Sequence, residues 1–487
     1  MTRATSPWCV ATNAHPVIQK TSASRLQNIF KEVQVTKSLI ERVVIVGFGN
    51  IAQALLPLLK QHWPTCDLFA LERSVEPEHS WIANQYGIEL ISRQVSQSNY
   101  EKVLSPLIRA NSLLLNLATE VSSIDLIRLA QTKGAFYLDT CIDPWEYQQM
   151  SHSGLVTNYQ LREELREHAK LASNLTTAVA AHGANPGFVS ILVKCALNIM
   201  RERYLSPLRE KPVTRAEWAQ LALDLGICVV QISERDAQAS SWRRRPDEFV
   251  STWSVDGFVT ECLQPAELGW GSHERNFPAK AMTHSYGSKA AIYLNQPSFL
   301  TKVKSWSPNQ LDFTAYLISH NEAISISDYF SIVSTESVVY RPTCYYAYRP
   351  CDEAIESMAL LECGSRDAIK KIRVLKEEIV AGIDELGVFL LSGKFPSLWF
   401  GSNLSVGKAR TMADNNNATS LQVASSILAG MKWIEANPRN GLVESEEMDH
   451  ELIYEAALPY WSPMVTEFVD WRPCAGKDSL QFTDFLV

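Results

Sequence analysis

The sequence predicts an α/β chain: a doubly wound parallel sheet carrying an inserted α+β domain with a mixed sheet. Three observations predict it. Apolar strand-like runs alternate with amphipathic stretches from Glu41 to about Asn185. One of those runs ends in a glycine turn that opens a helix. After about residue 190 the texture shifts to strand-like pieces interleaved with acids and tryptophans. Strand–helix alternation implies parallel strands joined by crossover helices, and such sheets are covered on both faces.

The first element sets the rest. Val43-Val44-Ile45-Val46 suits a strand buried on both faces. Gly47 and Gly49 let the backbone turn tightly and approach a phosphate. Ala52 fills the third small position of a Gly-x-Gly-x-x-Ala fingerprint. Asn50 and Ile51 fall in the first helical turn, whose amides face a pyrophosphate. A second apolar run, Leu68-Phe69-Ala70-Leu71, ends at Glu72. That acid lies roughly 20–25 residues past the glycines, where a carboxylate accepts hydrogen bonds from an adenosine ribose. The pattern is that of a Rossmann-like dinucleotide site. A tight strand-to-helix turn without a ligand is the plainer alternative. Glu72 favours NAD over NADP, and the adjacent Arg73 suits a 2′-phosphate.

Ser112–Leu117 reads as the next buried strand, Ile124–Ala130 as a helix and Ala135–Thr140 as a further strand. Ligands of such sheets sit beyond the carboxyl ends of the strands. Those ends are Gly47–Ala52, Asn116–Glu120 and Thr140–Glu146. Asn116, Leu117, Ala118, Glu120 and Thr140 are therefore expected near the cofactor, although Asn116 also suits an ordinary turn. Ala178–Ser190 is a small-residue strand running into Asn185-Pro186-Gly187, strong turn chemistry. It reads either as a domain-boundary turn or as a place where His182 and Asn185 face the nicotinamide, with small residues such as Ala184 admitting close approach.

In the second domain, Val250–Val255 and Gly257–Glu261 alternate like strands joined at Asp256-Gly257, a hairpin signal. Ala290–Leu294, Val303–Trp306 and Phe313–His320 add strands. Glu234, Asp236, Trp253, Glu261, Glu267 and Trp270 lie close in sequence. Carboxylates hydrogen-bond ammonium groups, and an indole face attracts a cation, so the set suits a cationic ligand. The plainer alternative has the acids in solvent and the tryptophans in the core. Trp253 and Glu261 sit in otherwise apolar runs, where an unpaired carboxylate is costly to bury. His320, followed by Asn321 and Glu322, suits general acid–base work. Lys376–Ala381 leads by a turn into the strand Gly382–Leu391. Ala418–Trp433 is a long apolar helix with a small-residue face, expected to pack back on the first domain.

The expected division is an N-terminal extension over 1–40, a nucleotide domain over 41–185, a substrate domain over 186–410 and a C-terminal segment over 411–487. The extension suits a loose arm or a helix over Ala23–Val33, and it lacks the apolar core of a secretory signal. A net charge of −8 argues against nucleic acid as the main partner. Ten cysteines without a Cys-x-x-Cys pair, among them Cys195, Cys228 and Cys363 in apolar contexts, favour a reducing, cytoplasmic compartment. No apolar run reaches membrane-spanning length, and no His/Cys/Asp cluster has metal spacing.

These residues carry a resemblance. Gly-Phe-Gly-Asn-Ile at 47–51, Gly-Ala-Asn-Pro-Gly at 183–187, Glu-Arg-Asp at 234–236 and Thr-Trp-Ser-Val-Asp-Gly-Phe-Val at 252–259 resemble the bacterial homospermidine synthases. So do Leu-Gln-Pro-Ala-Glu-Leu-Gly-Trp-Gly at 263–271, His-Asn-Glu at 320–322, Arg-Pro-Thr-Cys at 341–344 and Gly-Ile-Asp-Glu-Leu-Gly at 382–387. That family resembles saccharopine-dehydrogenase-type reductases. The resemblance implies a homodimeric transferase that uses NAD without consuming it. Putrescine (or spermidine) is oxidised to an imine, the amine leaves, a second putrescine forms a Schiff base, and the hydride returns to give homospermidine. By resemblance, Trp253 is a cation–π platform, Glu234 and Glu261 bind substrate amines, Asn185 and His320 stand near the reacting carbon, and Glu120 is an acid on the nicotinamide side. Asp143 precedes Pro144-Trp145 where the family pattern has Glu, one methylene longer. Two alternatives stay open. One is a saccharopine- or carboxyspermidine-type dehydrogenase with net redox turnover, using Arg235 or Arg243–Arg245 for substrate carboxylates. The other is an NAD-binding sensor without turnover.

Overall fold

The run at Arg42–Val46 becomes a central strand of a seven-stranded sheet. This is a computed structural model that describes residues 38–145, 147, 156–206, 210–335, 337–361, 365–474 and 480–487. The expected helix over 23–33 and the context of Cys363 lie outside the described residues, as does Glu146. The sheet order is Leu442–Glu444, Ala178–Ala180, Phe136–Asp139, Ser112–Asn116, Arg42–Val46, Asp67–Glu72, Glu89–Ser92. Every pairing is parallel. The order reverses between Arg42–Val46 and Ser112–Asn116, and ligands of doubly wound sheets bind in the crevice at such a reversal. Val43, Val44, Ile45 and Leu113–Leu115 are fully buried because helices cover both faces.

The seventh strand, Leu442–Glu444, returns from the C-terminal region. The Ala418–Ala436 helix lies against the Asn50–His62 helix and the Phe136–Asp139 strand. Its small-residue face permits this. A side-chain carbon at Gly430 would stand 2.7 Å from the His182 ring and 2.8 Å from Leu138. Asn416, just before that helix, donates from Nδ2 to the Ala54 carbonyl at 2.9 Å.

Ten further strands form a mixed sheet around Ile227–Asp236, which pairs parallel with Thr343–Arg349 and antiparallel with Ile383–Ser392, and three small two-stranded sheets lie outside it. Leu311–Ile318 and Pro265–Gly269 both pair along the other edge of Thr343–Arg349. The expected C-terminal segment divides between the sheets. Met464–Val469 forms an edge strand of the mixed sheet, and Phe482 and Phe485 enter its core.

The expected hairpin does not form. Gly257–Glu261 is not the second strand of a hairpin; Val255–Leu263 is a helix, and the preceding strand covers only Glu248–Ser251. Ser254 caps the helix, its Oγ accepting from the Gly257 amide at 3.1 Å. Val255, Phe258, Val259 and Cys262 are its buried residues, a spacing of three and four that belongs to a helix rather than a strand. Trp253 therefore lies in the loop before a helix, and Glu261 on the helix itself.

Candidate functional site

The glycine turn builds the first half of the site. Gly47 has φ +90°, and a side-chain carbon there would stand 2.9 Å from the Ala118 amide nitrogen. Only glycine lets the two strand ends approach so closely. Gly49 is the N-cap of the Asn50–His62 helix and caps it with no side-chain bond. A side-chain carbon at Gly49 meets nothing within 4 Å, so it would project into open cleft. An uncapped helix start facing a cleft is ready for an anion. Glu72 reaches back to the turn, its Oε2 accepting from the Phe48 amide at 2.9 Å. The cleft, of about 680 Å³, is lined by Gly47, Gly49, Glu72, Arg73, Leu117, Ala118, Thr119, Glu120, Asp256, Thr260 and Arg366, among others.

Of the other residues expected at the cofactor, Asn50 and Ile51 are half-buried in the first helical turn, and Ala52 is buried under it. Asn116 turns inward: its Nδ2 donates to the Val121 carbonyl at 3.2 Å, and its Oδ1 accepts from the Ala118 amide at 3.4 Å. It shapes the loop instead of lining the cleft. Thr140 packs beside Gly183, and Ala184 is buried. His182 is fully buried, with Nδ1 2.8 Å from Ser445 Oγ, and burial pushes its imidazole down to about 4. The reading that faced it toward the nicotinamide is corrected: its ring is packed against Gly430.

A smaller inner cavity adjoins the cleft, and Thr119 and Thr260 line both. Its wall includes Asp143, Pro186, Gly257, Glu261, Ser319, His320 and Asn321. His320 is the N-cap of the Asn321–Tyr329 helix. Its Nε2 lies 3.0 Å from Glu261 Oε2, and its Nδ1 lies 3.1 Å from Glu322 Oε1. A neutral ring would point a lone pair at one of those carboxylates, so both nitrogens call for protons. Burial alone pushes the imidazole down, but the two carboxylates outweigh it and hold His320 well above its ordinary range. Burial raises Glu261 in turn, against the pull of His320.

Glu234 stands behind this ring. Its Oε2 accepts from Tyr346 Oη at 2.7 Å and from Asn185 Nδ2 at 3.0 Å. Burial pushes its carboxyl up to about 8, and Asp236 adds to the rise. Tyr346 in turn packs on His320, ring centres 4.3 Å apart. Asp143 fixes the opposite wall. Its Oδ2 accepts from the Glu120 amide at 2.9 Å and its Oδ1 from Tyr147 Oη at 2.8 Å. The first contact holds Glu120 at φ +58°, a conformation that costs a residue with a side chain about 1–2 kcal/mol. Burial lifts Asp143 to about 6.

Trp253 lines neither cavity. Its indole packs on Gly257, which does, and tilts against Phe258 at 6.1 Å. Phe258 meets Tyr348 at 5.7 Å, and Tyr348 stacks on Tyr346 at 5.4 Å. Trp253 and His320 are thus ends of one aromatic path. Sequence reading missed Tyr346 and Tyr348. Their signal was the period-two spacing in Thr343–Arg349, which sets Tyr348 beside Glu234 in parallel register.

The charges decide what the inner cavity takes. No Lys or Arg among the described residues lines it, and the His320 charge is matched by two carboxylates, Glu261 and Glu322. On its wall, Asn321 Oδ1 is buried without a hydrogen-bond partner among the described residues, and Glu261 Oε2 has the His320 ring beside it at 3.0 Å without an aligned bond. Both are acceptors. An unsatisfied acceptor costs about 1–3 kcal/mol, which a donor-only group such as an ammonium recovers. No three described His, Cys, Asp or Glu side chains gather as a metal site. No helix among the described residues is long and apolar enough to cross a membrane.

Comparison with known proteins agrees in extent. Residues 43–179 match the saccharopine dehydrogenase NADP binding domain, and residues 183–466 match the saccharopine dehydrogenase C-terminal domain. The chain is 42% identical over 453 residues to the homospermidine synthase of Blastochloris viridis, covering 90% of this chain and 93% of that one. It is 38% identical to the homospermidine synthase of Mesorhizobium japonicum, covering 90% and 92%. The crystal structure of the homospermidine synthase from Legionella pneumophila in complex with NAD superposes with a TM-score of 0.83 at 37% identity, covering 92% and 98%.

Proposed function

This chain belongs to the homospermidine synthase family, within the wider saccharopine dehydrogenase family, and on that premise we propose that it joins two putrescines, or spermidine and putrescine, into homospermidine. The observation that carries the reading is the acceptor-rich wall of the inner cavity, set directly against the glycine-turn cleft.

Gly47, Gly49 and the first turn of the Asn50–His62 helix would hold the NAD pyrophosphate, and Glu72 the ribose. NAD supplies a hydride acceptor and then a hydride donor, so it is conserved over the cycle. Glu72 also repels a 2′-phosphate, which supports NAD over NADP.

Glu261 and Asn321 bind the ammonium through oxygens. An amine must shed a proton before oxidation or attack, and Glu261, on the cavity wall with raised proton affinity, is suited to take it. His320, charged between two carboxylates, suits return of a proton to the departing amine. Asn185 and Tyr346 hold the Glu234 carboxyl behind the His320 ring, and Trp253, outside both cavities, backs the Gly257 wall. Asp143 sets Glu120 at the cleft side by holding its backbone.

A carboxylate-bearing substrate has less support. Arg235 is committed to Glu385 at 2.6 Å, and Arg244 donates to the carbonyls of Arg245, Pro246 and Glu248. Incubation with putrescine and trace NAD tests the reading. Homospermidine in large molar excess over NAD, without accumulated NADH, is expected; NADH formed mole for mole with product refutes it. The protein is taken as a cytoplasmic homodimer. Its eight described cysteines are all free, which supports a reducing compartment. Light scattering tests the dimer.

A further inference from the structure

Glu446 is 2% exposed, and nothing in the chemistry above uses it. It lies in the Ser445–Glu447 turn, directly after the seventh parallel strand. Its Oε1 accepts from two hydroxyls, Ser190 Oγ and Ser325 Oγ, each at 2.7 Å. Ser190 is in the first turn of the Phe188–Tyr204 helix, which begins where the Asn185-Pro186-Gly187 loop ends. Ser325 is in the Asn321–Tyr329 helix, whose N-cap is His320. One carboxylate oxygen thus ties the helix that follows the Asn185 loop to the helix that His320 caps. The turn is itself fixed: Lys194 Nζ donates to the Glu446 carbonyl, and Ser445 Oγ holds His182 on the preceding loop.

We propose that Glu446 is a positioning residue that sets the spacing between the Asn185–Glu234 pair and the His320–Glu261 pair. Burying a carboxyl is costly, and a plain structural need would be met as well by apolar packing. Two donors converging on one oxygen instead fix an angle and a distance between the helices. The proposal rests on the reading that this cavity takes an amine.

The test compares Glu446→Ala with Glu446→Gln, whose carbonyl oxygen can accept from both serines. The alanine variant is expected to raise the KM for putrescine about tenfold or more, with the Kd for NAD unchanged. The glutamine variant should recover most of that loss. The 15N imidazole signals of His320, assigned with His320→Gln, should shift in the alanine variant and return in the glutamine variant. This second readout needs no turnover. If the wild-type protein makes no homospermidine, the functional reading fails while the His320 signals still decide the bridge. The Ser190→Ala and Ser325→Ala changes should add little on top of Glu446→Ala. Unmoved His320 signals in the alanine variant, a glutamine variant as impaired as alanine, or fully additive serine effects would each overturn the proposal.

Discussion

The cleft and the inner cavity are built on opposite principles. The cleft is made of backbone: a glycine turn, a bare helix start and one acid that ties back to the turn amide. Its key parts lie within a short stretch of chain. The inner cavity is made of side chains gathered from the end of the Phe136–Asp139 strand, the 185–187 loop, the Val255–Leu263 helix and the His320 cap. A backbone site is local and tolerant of its surroundings. A side-chain site depends on the packing of both sheets. Substitutions should therefore separate cofactor binding from amine chemistry.

The largest separation is expected at His320. His320→Gln removes a charge held between Glu261 and Glu322 and should lower kcat about 10²–10⁴-fold, the range for a lost general acid or base. NAD affinity, read by cofactor fluorescence, should stay within about twofold. A parallel loss of NAD binding would merge the two regions and break the comparison.

Gly49→Val is the converse. Its side chain would enter open cleft, so the fold should survive while NAD binding weakens on the order of 100-fold. Synthesis should then vanish at ordinary NAD and partly return at high NAD. Normal NAD content with normal turnover would refute the cleft assignment.

The same contrast explains what could be read from sequence. The strands Arg42–Val46, Ser112–Asn116 and Phe136–Asp139 fall within about one residue of expectation, because a buried parallel strand is an uninterrupted apolar run. Gly47 and Gly49 were legible as a strand-to-helix turn because nearby backbone sets that geometry. Asn116 and His182 were placed correctly along the chain but turn into the core, and direction depends on neighbours such as Gly430 that lie far off in sequence. The Val255–Leu263 helix was read as a strand because Asp256-Gly257 imitates a hairpin turn, whereas its cap is Ser254. Glu261 stood out as an acid in an apolar run, and Glu234 through the Glu-Arg-Asp string of the resemblance. The partners of Glu234, Tyr346 and Asn185, and the partner of Glu261, His320, come from other elements, so the pairing was invisible.

A smaller effect is expected at Glu72. Glu72→Ala removes the acceptor for the Phe48 amide and for a ribose hydroxyl. A hydrogen bond to a charged group contributes about 1.5–3 kcal/mol, so the Kd for NAD should rise about tenfold or somewhat more. The Kd for NADP should fall, since a negative charge facing the 2′-phosphate is gone. Titration of both cofactors decides it; a uniform weakening would mean that Glu72 only supports the turn.

The smallest effect sharpens the contrast through pH. Burial raises Glu234 to about 8 in the folded protein, against an ordinary 4.5. Between those values the folded state keeps a proton that the unfolded chain releases. The stability this group contributes is therefore full below about pH 4.5 and is lost as pH rises through about 8. Glu234→Gln keeps an acceptor for Tyr346 and Asn185 and cannot ionise, so it removes that loss. Its melting temperature relative to wild type should climb steadily from about pH 5 to about pH 9, by a shift on the order of 1–3 °C. Gly49→Val, acting in the backbone-built cleft, should follow the wild-type pH curve at a constant offset. If Glu234→Gln also runs parallel to wild type, the carboxyl behind the His320 ring is charged in the folded state throughout.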